Sequence, residues 1–443
     1  MNDPLVYVLV INWNGRDHVD ACFSSLLAST YPHVKFVLVD NGSDDDSATQ
    51  VENEFGHDPR VQILRCQENR GWSGGNNIGI EAALADQADY IFLLNNDTAV
   101  APDCIAHLVD DMESNPQMGA LAPRMVLFDQ PSLLNSVGLE MSVIGSAWDR
   151  GIGHIDDPTW HEATPVVGVC GGACFLRASV LAQTGFLPEA FEIYLDDLDL
   201  CLRIWNTGHS IWTCPRAVVR HKFSATMGSG AWARRKYYLN TRNRFWLMLR
   251  NFPPSRLILG LPDVFMGEVR AVGRASQEGA FWKVAGHLRA WLHALAYVPQ
   301  AVHYRIAQPP QPAKYSFWTL VRRQPKFCPA VVFPEDGWYP AITNGGERLR
   351  PMAREATLQI PSGSLRLCLV NCYPDTAAAV IAVSVDGQPL VTMKTDHREE
   401  LTVEVQEGTL TIHATSLFPA TATGEATDTG AWLQIYCNNN PLV

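Results

Sequence analysis

The sequence predicts an α/β domain with a mostly parallel sheet, followed by a basic helical region and a C-terminal antiparallel β-sandwich. In the first half of the chain, short apolar runs alternate with helical patterns, which is typical of parallel sheets. From about Ala231 to Ile306, apolar residues recur every three or four positions among basic ones. From about Trp338 onward the apolar period falls to two. The expected domains are residues 1–253, 254–330 and 331–443.

The strands of the first half place polar loops on one edge of the predicted sheet. In chain order, the predicted elements are strand Val6–Ile11, helix Val19–Ser29, strand Phe36–Val39, strand Val61–Leu64, helix Ile78–Ala85 and strand Tyr90–Leu94. Parallel sheets bind ligands at the loops beyond the carboxyl ends of their strands. Those loops, Asn12–Gly15, Asp40–Asp46 and Asn95–Asp97, are small, polar and acidic. They suit a nucleotide pocket.

The middle of the chain is strongly basic although the whole protein is acidic. Residues 216–326 hold 19 of the 34 Lys and Arg residues against three acidic ones, whereas the formal net charge of the chain is −12. Within this region, Trp282–Leu295 has the spacing of a basic amphipathic helix, and Gln308–Ala313 is a proline-rich linker. The local charge favours phosphates or an anionic membrane surface, and the bulk charge argues against nucleic acid as a partner.

The last hundred residues alternate apolar and polar positions, as in Leu365, Leu367 and Leu369, and Asp386-Gly387 is a hairpin turn signal. These patterns predict the antiparallel sandwich. Its aromatic residues Trp338, Tyr339 and Trp432 are suited either to glycan binding or to core packing. No catalytic pattern occurs in this region.

The composition is that of an ordinary globular protein. With 443 residues, 47% hydrophobic and 18% charged, the chain is neither disordered nor coiled coil, and its length predicts two to four domains. The 11 cysteines form no CxxC pair and lack the partners of a zinc site, so we expect buried free thiols. The N-terminus has no basic signal region and no apolar run approaches the roughly 20 residues of a membrane span. These features predict a cytoplasmic protein.

Two segments suggest a nucleotide site. Asp40–Asp45 follows a predicted strand, where a carboxylate can accept hydrogen bonds from a base or ribose and Gly42 permits close backbone approach. A capped Asn-Gly turn is the alternative. Asn69–Gly79 is predicted as a glycine-rich loop that opens a helix and offers backbone N–H groups to an anion. It has neither Walker nor GxGxxG spacing, which argues against P-loop enzymes and dehydrogenases.

Acidic residues at two further places suggest metal and proton chemistry. Asp97 ends a predicted strand beside two Asn residues, where it suits either a divalent cation or a helix cap. The cluster Asp196-Asp197-Leu198-Asp199 begins a predicted helix. The helix dipole favours anions at that end, which gives a structural reason for part of the cluster. Asp196 or Asp197 is also suited to take a proton from a hydroxyl group. His221 is either structural or a further metal ligand.

In combination and order, these segments resemble the family 2 glycosyltransferases, which are inverting, nucleotide-sugar-dependent enzymes of GT-A fold. The branch most similar contains bacterial rhamnosyltransferases and other surface-polysaccharide transferases. The residues that carry the resemblance are Val10–Gly15, Val39–Ser43, Asn69–Gly79, Leu94–Asp97, Gly171–Arg177 and Asp196–Leu200. The resemblance covers roughly Leu5 to Pro253.

The resemblance implies a role for each matching residue. Asp40 contacts the base or ribose, and the other residues near the nucleotide are Asn12, Asn14, Asn41, Gly74, Asn76, Asn77 and Asn96. Asp97 stands at the last position of the family's DxD motif, with Asn95 replacing the first Asp, and it holds Mg²⁺ or Mn²⁺ together with His221. Asp197 inherits the role of catalytic base, and Asp196 takes the place of the family's Glu. The donor sugar and acceptor lie against Trp72, Gly171 and Gly172, with Trp148 and Trp205 as further stacking candidates.

The resemblance also implies the partners. The donor is a UDP- or dTDP-sugar, with dTDP-rhamnose among the candidates, and the acceptor is a growing O-antigen, capsule or related glycan, or a lipid-linked oligosaccharide. The basic helices predict peripheral attachment to the inner face of the cytoplasmic membrane, with packing on the catalytic core as the alternative. A homo-oligomer is left open.

Two other functions compete with this one. The first is a glycan-binding or scaffold protein with a degenerate transferase domain, suggested by Asn95 and by the sandwich. Metal-dependent hydrolysis of the donor would argue against it. The second is a nucleotidyltransferase, which needs a lysine- and glycine-rich signature that Asn12–Arg16 lacks.

Overall fold

The computed structural model of the chain describes residues 3–129, 131–154, 156, 158–222, 231–277, 279–307 and 316–322, and strand segments between 342 and 441. It divides into two compact units. The first comprises residues 1–128, 135–151 and 158–326, and the second comprises residues 129–134, 152–157 and 327–443. The basic helices therefore belong to the same unit as the N-terminal sheet. The domain boundaries at 253 and 330 stay predictions.

The elements up to residue 307 follow the predicted alternation. The strands are β1 (Val6–Asn12), β2 (Val34–Asp40), β3 (Val61–Arg65), β4 (Tyr90–Asn95), β5 (Thr98–Val100), β6 (Met118–Leu127), β7 (Leu134–Ser136), β8 (Leu139–Met141), β9 (Ala147–Asp149), β10 (Ala173–Arg177) and β11 (Ser210–His221). The helices are α1 (Val19–Leu27), α2 (Ser47–Phe55), α3 (Gly71–Ala85), α4 (Cys104–Ser114), α5 (Ala178–Thr184), α6 (Asp196–Asn206), α7 (Ala231–Asn251), α8 (Pro254–Gln277) and α9 (Phe281–Ala307).

The main sheet is mixed, with the order β3-β2-β1-β4-β10-β6-β11-β5 and β7 paired to β6. Strands β1 to β4 are parallel, as predicted, and β11 is parallel to β6. Strand β10 is antiparallel to both β4 and β6. This sheet, with helices on both faces, is that of a GT-A domain with a Rossmann-like first half. The strand order reverses between β1 and β4, and such switch points open a crevice at the carboxyl ends of the strands.

Alternate residues of the central strands enter two different cores. Tyr7, Leu9 and Ile11 face one apolar cluster, which includes residues of α3, α6 and α7. Val6, Val8 and Val10 face the other, which includes residues of α1, α2 and α4. Strand β1 is fully buried along its length, as expected for a parallel strand covered on both sides. The sheet is therefore a rigid platform for the loops at its edge.

The glycine-rich segment is mostly helix rather than loop, which corrects the sequence prediction. Helix α3 begins at Gly71, seven residues before the predicted start at Ile78. The glycines allow the helix to lie close to the sheet, because a Cβ at Gly75 would be 2.3 Å from Cδ1 of Ile11 and one at Gly79 would be 2.9 Å from Cδ1 of Leu9. The low helix propensity of glycine argues against a helix here, but tertiary packing against the sheet outweighs that preference.

Helices α7, α8 and α9 are joined by a buried charged network. Glu268 of α8 pairs with Arg244 of α7 and accepts hydrogen bonds from Nδ1 of His287 (2.7 Å) and Nε1 of Trp291 (2.6 Å) on α9. Burial alone would raise the pKa of Glu268, but His287 and Arg244 lower it to about 2. The three helices thus pack on one another through this network. In the part of the chain that the structure describes, no helix is both long enough and apolar enough to cross a membrane.

The strands after residue 341 form antiparallel sheets. They are β12 (Ile342–Asn344), β13 (Glu347–Pro351), β14 (Glu355–Ile360), β15 (Gly363–Val370), β16 (Ala379–Val385), β17 (Gln388–Thr395), β18 (Glu399–Val405), β19 (Gly408–Ser416), β20 (Trp432–Cys437) and β21 (Asn440–Pro441). One sheet has the order β12-β13-β20-β15-β18, with β21 on β20, and the other has the order β14-β19-β16-β17.

The predicted hairpin turn is present in this region. Asp386 and Gly387 have φ values of 46° and 76° between β16 and β17, as a type I′ turn requires. Face-to-face packing of the two sheets as a sandwich stays a prediction. Trp338 and Tyr339 lie outside the described residues, as does the side chain of Trp432.

Candidate active site

The acidic pair predicted from the sequence stands at the start of α6, after a strained segment. Glu192, Tyr194 and Leu195 have φ values of 67°, 72° and 63°, a region that costs non-glycine residues of order 1–3 kcal/mol each. Asp196 and Asp197 follow as the first residues of the helix. Such strain is found where a fold holds functional groups in a set position.

Helix α7 holds the strained segment in place. Nδ2 of Asn243 donates to the carbonyl oxygens of Phe191 (2.8 Å), Ile193 (2.9 Å) and Tyr194 (2.9 Å). The guanidinium of Arg242 donates to the carbonyl oxygen of Phe191 (3.1 Å) and to Oε1 of Glu192 (3.2 Å). Both side chains are buried. We call Arg242 and Asn243 the α7 clamp.

Asp197 is fixed by backbone donors on both carboxylate oxygens. The N–H of Gly171 donates to Oδ2 (2.8 Å) and the N–H of Leu198 donates to Oδ1 (2.7 Å). Burial, together with the charge of Asp196, raises the pKa of Asp197 above its ordinary value near 3.8. Burial also raises the pKa of Asp196, whose Oδ2 accepts a hydrogen bond from Oγ of Ser73 (2.6 Å). A carboxylate with a raised pKa is suited to accept a proton near neutral pH.

The third carboxylate of the cluster has a structural role. Asp199 is fully buried and accepts hydrogen bonds from Nε of Arg203 (2.9 Å) and Nδ2 of Asn251 (2.7 Å), with Nε of Arg250 at 3.0 Å. These partners join α6 to the end of α7. Asp199 therefore has a structural role in holding α6, and it is not a candidate for the catalytic base.

Asp97 and His221 meet at the other side of the site. Oδ1 of Asp97 lies 3.3 Å from Nε2 of His221, and this buried oxygen has no hydrogen-bond donor among the described residues. Nδ1 of His221 is 2.6 Å from Oδ1 of Asn135. Since an amide oxygen only accepts, Nδ1 of His221 is the donor to Asn135, and Nε2 is the ring nitrogen that faces Asp97.

The side chains of Asp97 and His221 fit a divalent cation. A buried carboxylate oxygen without a donor faces a ring nitrogen whose tautomer is set by a second residue, which is the usual arrangement around metal ligands. In the part of the chain that the structure describes, no group of three or more His, Cys, Asp or Glu side chains is placed to hold a metal. A cation here would therefore take its remaining ligands from a bound diphosphate or water.

Gly171 and Gly172 connect the two halves of the site. A Cβ at Gly171 would lie 2.7 Å from Cζ2 of Trp72 and 3.4 Å from Oδ2 of Asp197, and one at Gly172 would lie 3.3 Å from Cε1 of His221. Nε1 of Trp72 donates to Oδ1 of Asn95 (3.1 Å). The two glycines thus form a wall without side chains between the candidate base and the candidate cation site.

Polar residues extend from this wall to the ends of β1 and β2. Nδ2 of Asn96 donates to Oδ1 of Asn12 (2.7 Å), and Nδ2 of Asn12 lies 3.4 Å from Oδ1 of Asp40. Oγ of Ser43 donates to the same Asp40 oxygen (2.5 Å) and accepts from the N–H of Asn14 (3.0 Å). These residues lie at the switch point, where the fold predicts a nucleotide.

The comparison with known proteins agrees with this geometry. Residues 7–183 match the family model described as "Glycosyl transferase family 2". The chain carries a family 2 glycosyltransferase domain. This confirms the family predicted from the motifs.

Several relatives are glycosyltransferases. The chain is 26% identical over 241 residues to an N-acetylglucosaminyl-diphospho-decaprenol L-rhamnosyltransferase of Mycobacterium tuberculosis, covering 49% of this chain and 76% of the relative. It is 23% identical over 251 residues to a low-salt glycan biosynthesis hexosyltransferase of Haloferax volcanii, covering 54% of this chain and 73% of the relative. A mannosyltransferase structure from Pyrobaculum calidifontis with GDP-Man and Mn²⁺ is 17% identical, covering 69% of this chain and 88% of that chain, with a TM-score of 0.44. This last likeness is too distant to bear on the site.

Three amides of the transferase domain make hydrogen bonds inside the fold, and their place beside the nucleotide stays a prediction. Asn41 donates to Oδ1 of Asn69 (3.1 Å) and the carbonyl oxygen of Gly71 (2.9 Å) and accepts from the N–H of Arg70 (3.0 Å). Asn77 donates to and accepts from the backbone of Leu187. Nδ2 of Asn76 donates to the carbonyl oxygen of Trp72 (2.9 Å).

Other predicted residues of the transferase domain are also packing residues. A Cβ at Gly74 would lie 2.7 Å from Cβ of Arg70, so this glycine permits close packing. Trp205 is buried and donates to the carbonyl oxygen of Val167 (3.1 Å), and Trp148 donates to Oε2 of Glu140 (3.0 Å). Of the three tryptophans considered for sugar stacking, only Trp72 borders Asp197.

Four further residues around the transferase site were not among the predicted site residues. Ser73 donates a hydrogen bond to Asp196, and Asn135 accepts one from His221. Asn243 of the α7 clamp donates to the strained segment. Asp149 is the fourth, and its charge interacts with those of His221 and Asp197. Burial raises the pKa of Asp149. Asn135, Asp149 and Asn243 lie far along the chain from the residues on which they act, whereas Ser73 lies within the glycine-rich segment Asn69–Gly79.

Proposed function

We propose that the protein is an inverting glycosyltransferase that moves a sugar from a nucleotide-diphosphate donor to a hydroxyl group of a bacterial surface glycan. The observation that carries this proposal is the position of Asp197. Its carboxylate is held by the N–H groups of Gly171 and Leu198. Gly171 also lies against Trp72, and the next residue, Gly172, lies against His221 of the Asp97 and His221 pair. A base and a leaving-group site on either side of a small wall suit an in-line displacement.

In the proposed reaction, Asp197 takes the proton of the acceptor hydroxyl as its oxygen attacks the anomeric carbon. The raised pKa of Asp197 matches this role, because a base is most effective when its pKa is near the working pH. The bond from the anomeric carbon to the diphosphate breaks on the opposite face, so the configuration inverts. Asp40, Asn12, Asn14 and Asn96 orient the nucleotide at the switch point.

Asp97 and His221 would hold Mg²⁺ or Mn²⁺, which neutralises charge that develops on a diphosphate leaving group. The support is the buried Asp97 oxygen without a donor and the tautomer imposed on His221 by Asn135. Asn95, at the first position of the motif, accepts from Trp72. Asn95 thereby orients the indole beside the base.

The relatives support a lipid-linked acceptor as the substrate class. The printed name of the mycobacterial relative specifies a sugar on a diphospho-lipid as acceptor and L-rhamnose as the transferred sugar. We propose a related acceptor here and a UDP- or dTDP-sugar as donor, with dTDP-rhamnose as the first to assay. Because such acceptors reside in a bilayer, we also propose that the enzyme works peripherally at the inner face of the cytoplasmic membrane.

The exposed face of α8 and α9 supports this membrane location. Apolar side chains follow helical spacing on both helices and are open to solvent, among them Leu259 (71% exposed), Leu295 (71%) and Ile306 (75%). The other members are Ile258, Leu261, Phe265, Met266, Val269, Phe281, Leu288, Leu292, Val298 and Val302. We call this set the apolar ridge. Exposed apolar surfaces of this kind mark interaction sites, and basic flanks favour anionic lipid.

The test of the proposed function is the substitution Asp197→Asn. It keeps the shape of the side chain but removes the proton acceptor, so transfer should fall by about 100-fold or more while donor binding persists. Transfer is measured by release of the nucleoside diphosphate in the presence of acceptor, and binding by calorimetry. Asp103→Asn, an exposed position at the start of α4, is the matched control. Near-normal turnover of the Asp197→Asn variant would show that another group is the base.

A further inference from the structure

A cavity of about 680 Å³ lies between α7 and α9, and it shares Glu192 and Arg242 with the strained segment and the α7 clamp. Four arginines line it, Arg234, Arg235, Arg242 and Arg289, together with Tyr238, Trp282 and His293. Its single carboxylate is Glu192. The cavity is therefore strongly cationic, in a helical region to which the transferase motifs assign no role.

The arginines divide into two pairs. Arg235 and Arg242 both contact Glu192, which offsets part of their charge. Arg234 and Arg289 are exposed, and neither has a carboxylate partner among the described residues. Their guanidinium groups lie over aromatic rings, 5.8 Å from the centroid of Trp282 for Arg234 and 4.5 Å from that of Tyr238 for Arg289. A ring-stacked guanidinium keeps its N–H donors free in one plane, which matches phosphate oxygens.

The cavity lies close to the candidate base. Glu192 is four residues before Asp196, so the two Cα atoms are at most about 14 Å apart even for extended chain. The left-handed residues Tyr194 and Leu195 shorten this span further. A residue that lines the cavity and the candidate base thus belong to one short segment of the chain.

The cavity also borders the apolar ridge. On α9, Arg289 and His293 face the cavity, and each directly follows a ridge residue, Leu288 or Leu292. Successive residues differ by about 100° around a helix, so the cationic wall and the apolar ridge are adjacent faces of α9. A ligand with a phosphate next to a hydrocarbon chain matches both faces.

We propose that this cavity binds the phosphate or diphosphate of a lipid-linked acceptor, between the apolar ridge that contacts its lipid and the base that receives its sugar hydroxyl. The inference rests on the proposed function and deepens it by naming the residues that hold the acceptor. The shared chemistry is a lipid phosphate, which either the acceptor or a bulk anionic headgroup can supply.

The test is calorimetric titration of the full chain, in a chelator that keeps diphosphates from the Asp97 and His221 site. The probes are inorganic pyrophosphate, farnesyl diphosphate and vesicles of phosphatidylcholine with phosphatidylglycerol. The variant is Arg234→Gln with Arg289→Gln. The control is Arg270→Gln with Arg274→Gln, which removes the same charge from exposed positions of α8 outside the cavity. Thermal unfolding of both variants checks their fold.

We expect farnesyl diphosphate to bind more tightly than pyrophosphate, and the cavity variant to lose at least about tenfold in affinity for both, with the control unchanged. Loss of vesicle binding alone, in the cavity variant but not in the control, would assign the phosphate to bulk headgroups and overturn the acceptor role. Equal affinities in both variants would overturn the site itself. Because these titrations need no turnover, donor hydrolysis by the wild-type protein tests the proposed function separately.

Discussion

At the scale of single residues, the environment of Asp197 combines opposing effects. Burial and the neighbouring Asp196 raise its pKa, whereas hydrogen bonds from Gly171 and Leu198 favour the charged form and lower it. The balance leaves a carboxylate that is a stronger proton acceptor than an exposed aspartate. A base of this kind has a measurable signature in the dependence of rate on pH.

We expect transfer to decline on acidification well above the range in which an ordinary aspartate titrates. The sign follows from the raised pKa of Asp197: below that pKa the carboxyl is protonated and cannot accept the hydroxyl proton. Substituting Asp196→Asn removes a neighbouring negative charge, so the acidic limb should move to lower pH. The measurement is kcat/KM against pH for both proteins. An unshifted limb would mean that Asp196 does not set the proton affinity of the base.

The motif residues of the site could be predicted from sequence because each follows a strand or begins a helix in a recognisable order. Asp97, His221 and Asp197 do meet around Gly171 and Gly172. The roles of Asn41 and Asn77 could not be predicted in this way. Whether an amide faces a ligand or the backbone of a neighbouring loop depends on tertiary contacts across 28 to 112 positions of chain.

At the scale of secondary-structure elements, α7 contacts the active site although no residue of α7 was among the predicted site residues. The α7 clamp satisfies the backbone carbonyls of a segment that three left-handed residues prevent from pairing regularly. Removing a donor to buried carbonyls costs about 1–3 kcal/mol. The strained segment should then relax and carry Asp196 and Asp197 with it.

We therefore expect Asn243→Ala to lower kcat more than tenfold with little change in KM for the donor, and to shift the acidic limb of the pH profile. A purely structural role would lower thermal stability but leave the pH profile of the folded fraction unchanged. Asn240→Ala, at an exposed position on the same helix, is the matched control. An unaltered pH profile in Asn243→Ala would remove the positioning role of the clamp.

The order of the first strands was predictable, but the start of α3 and the direction of β10 were not. Alternating apolar runs identified β1 to β4, whereas α3 begins within a glycine-rich segment that looks like a loop. Packing of Gly75 and Gly79 against β1 stabilises this helix, although glycine has a low helix propensity. The antiparallel direction of β10 could not be predicted either, since a run of four apolar residues carries no sign of direction.

At the scale of the whole molecule, the helical region has one buried and one exposed apolar face. The buried face packs through Glu268 and the aromatic pair Trp246 and Tyr297, whose ring centroids are 4.3 Å apart. The apolar ridge is the exposed face. The two interpretations of this region that the sequence left open, packing and membrane contact, therefore concern different faces of the same helices.

We expect the protein to co-float with anionic vesicles, and Leu292→Asp with Leu295→Asp to abolish flotation by placing charge on the ridge. Gln277→Asp with Gln300→Asp adds the same charge at exposed polar positions and should reduce flotation only slightly. Flotation assays with and without phosphatidylglycerol also measure the contribution of the basic flanks. Equal flotation of both variants would exclude the ridge as the membrane contact.

The central claim, that this fold binds a nucleotide-sugar donor with a cation at Asp97 and His221, is tested most directly by thermal unfolding. UDP, dTDP, GDP and CDP are compared with and without Mg²⁺ or Mn²⁺, because a ligand at 100 times its Kd stabilises the fold by about 2.7 kcal/mol. We predict a cation-dependent rise in Tm with one nucleotide, and loss of the cation-dependent part in Asp97→Asn. No rise with any nucleotide, in the presence or absence of cations, would contradict the account and favour a degenerate, glycan-binding domain.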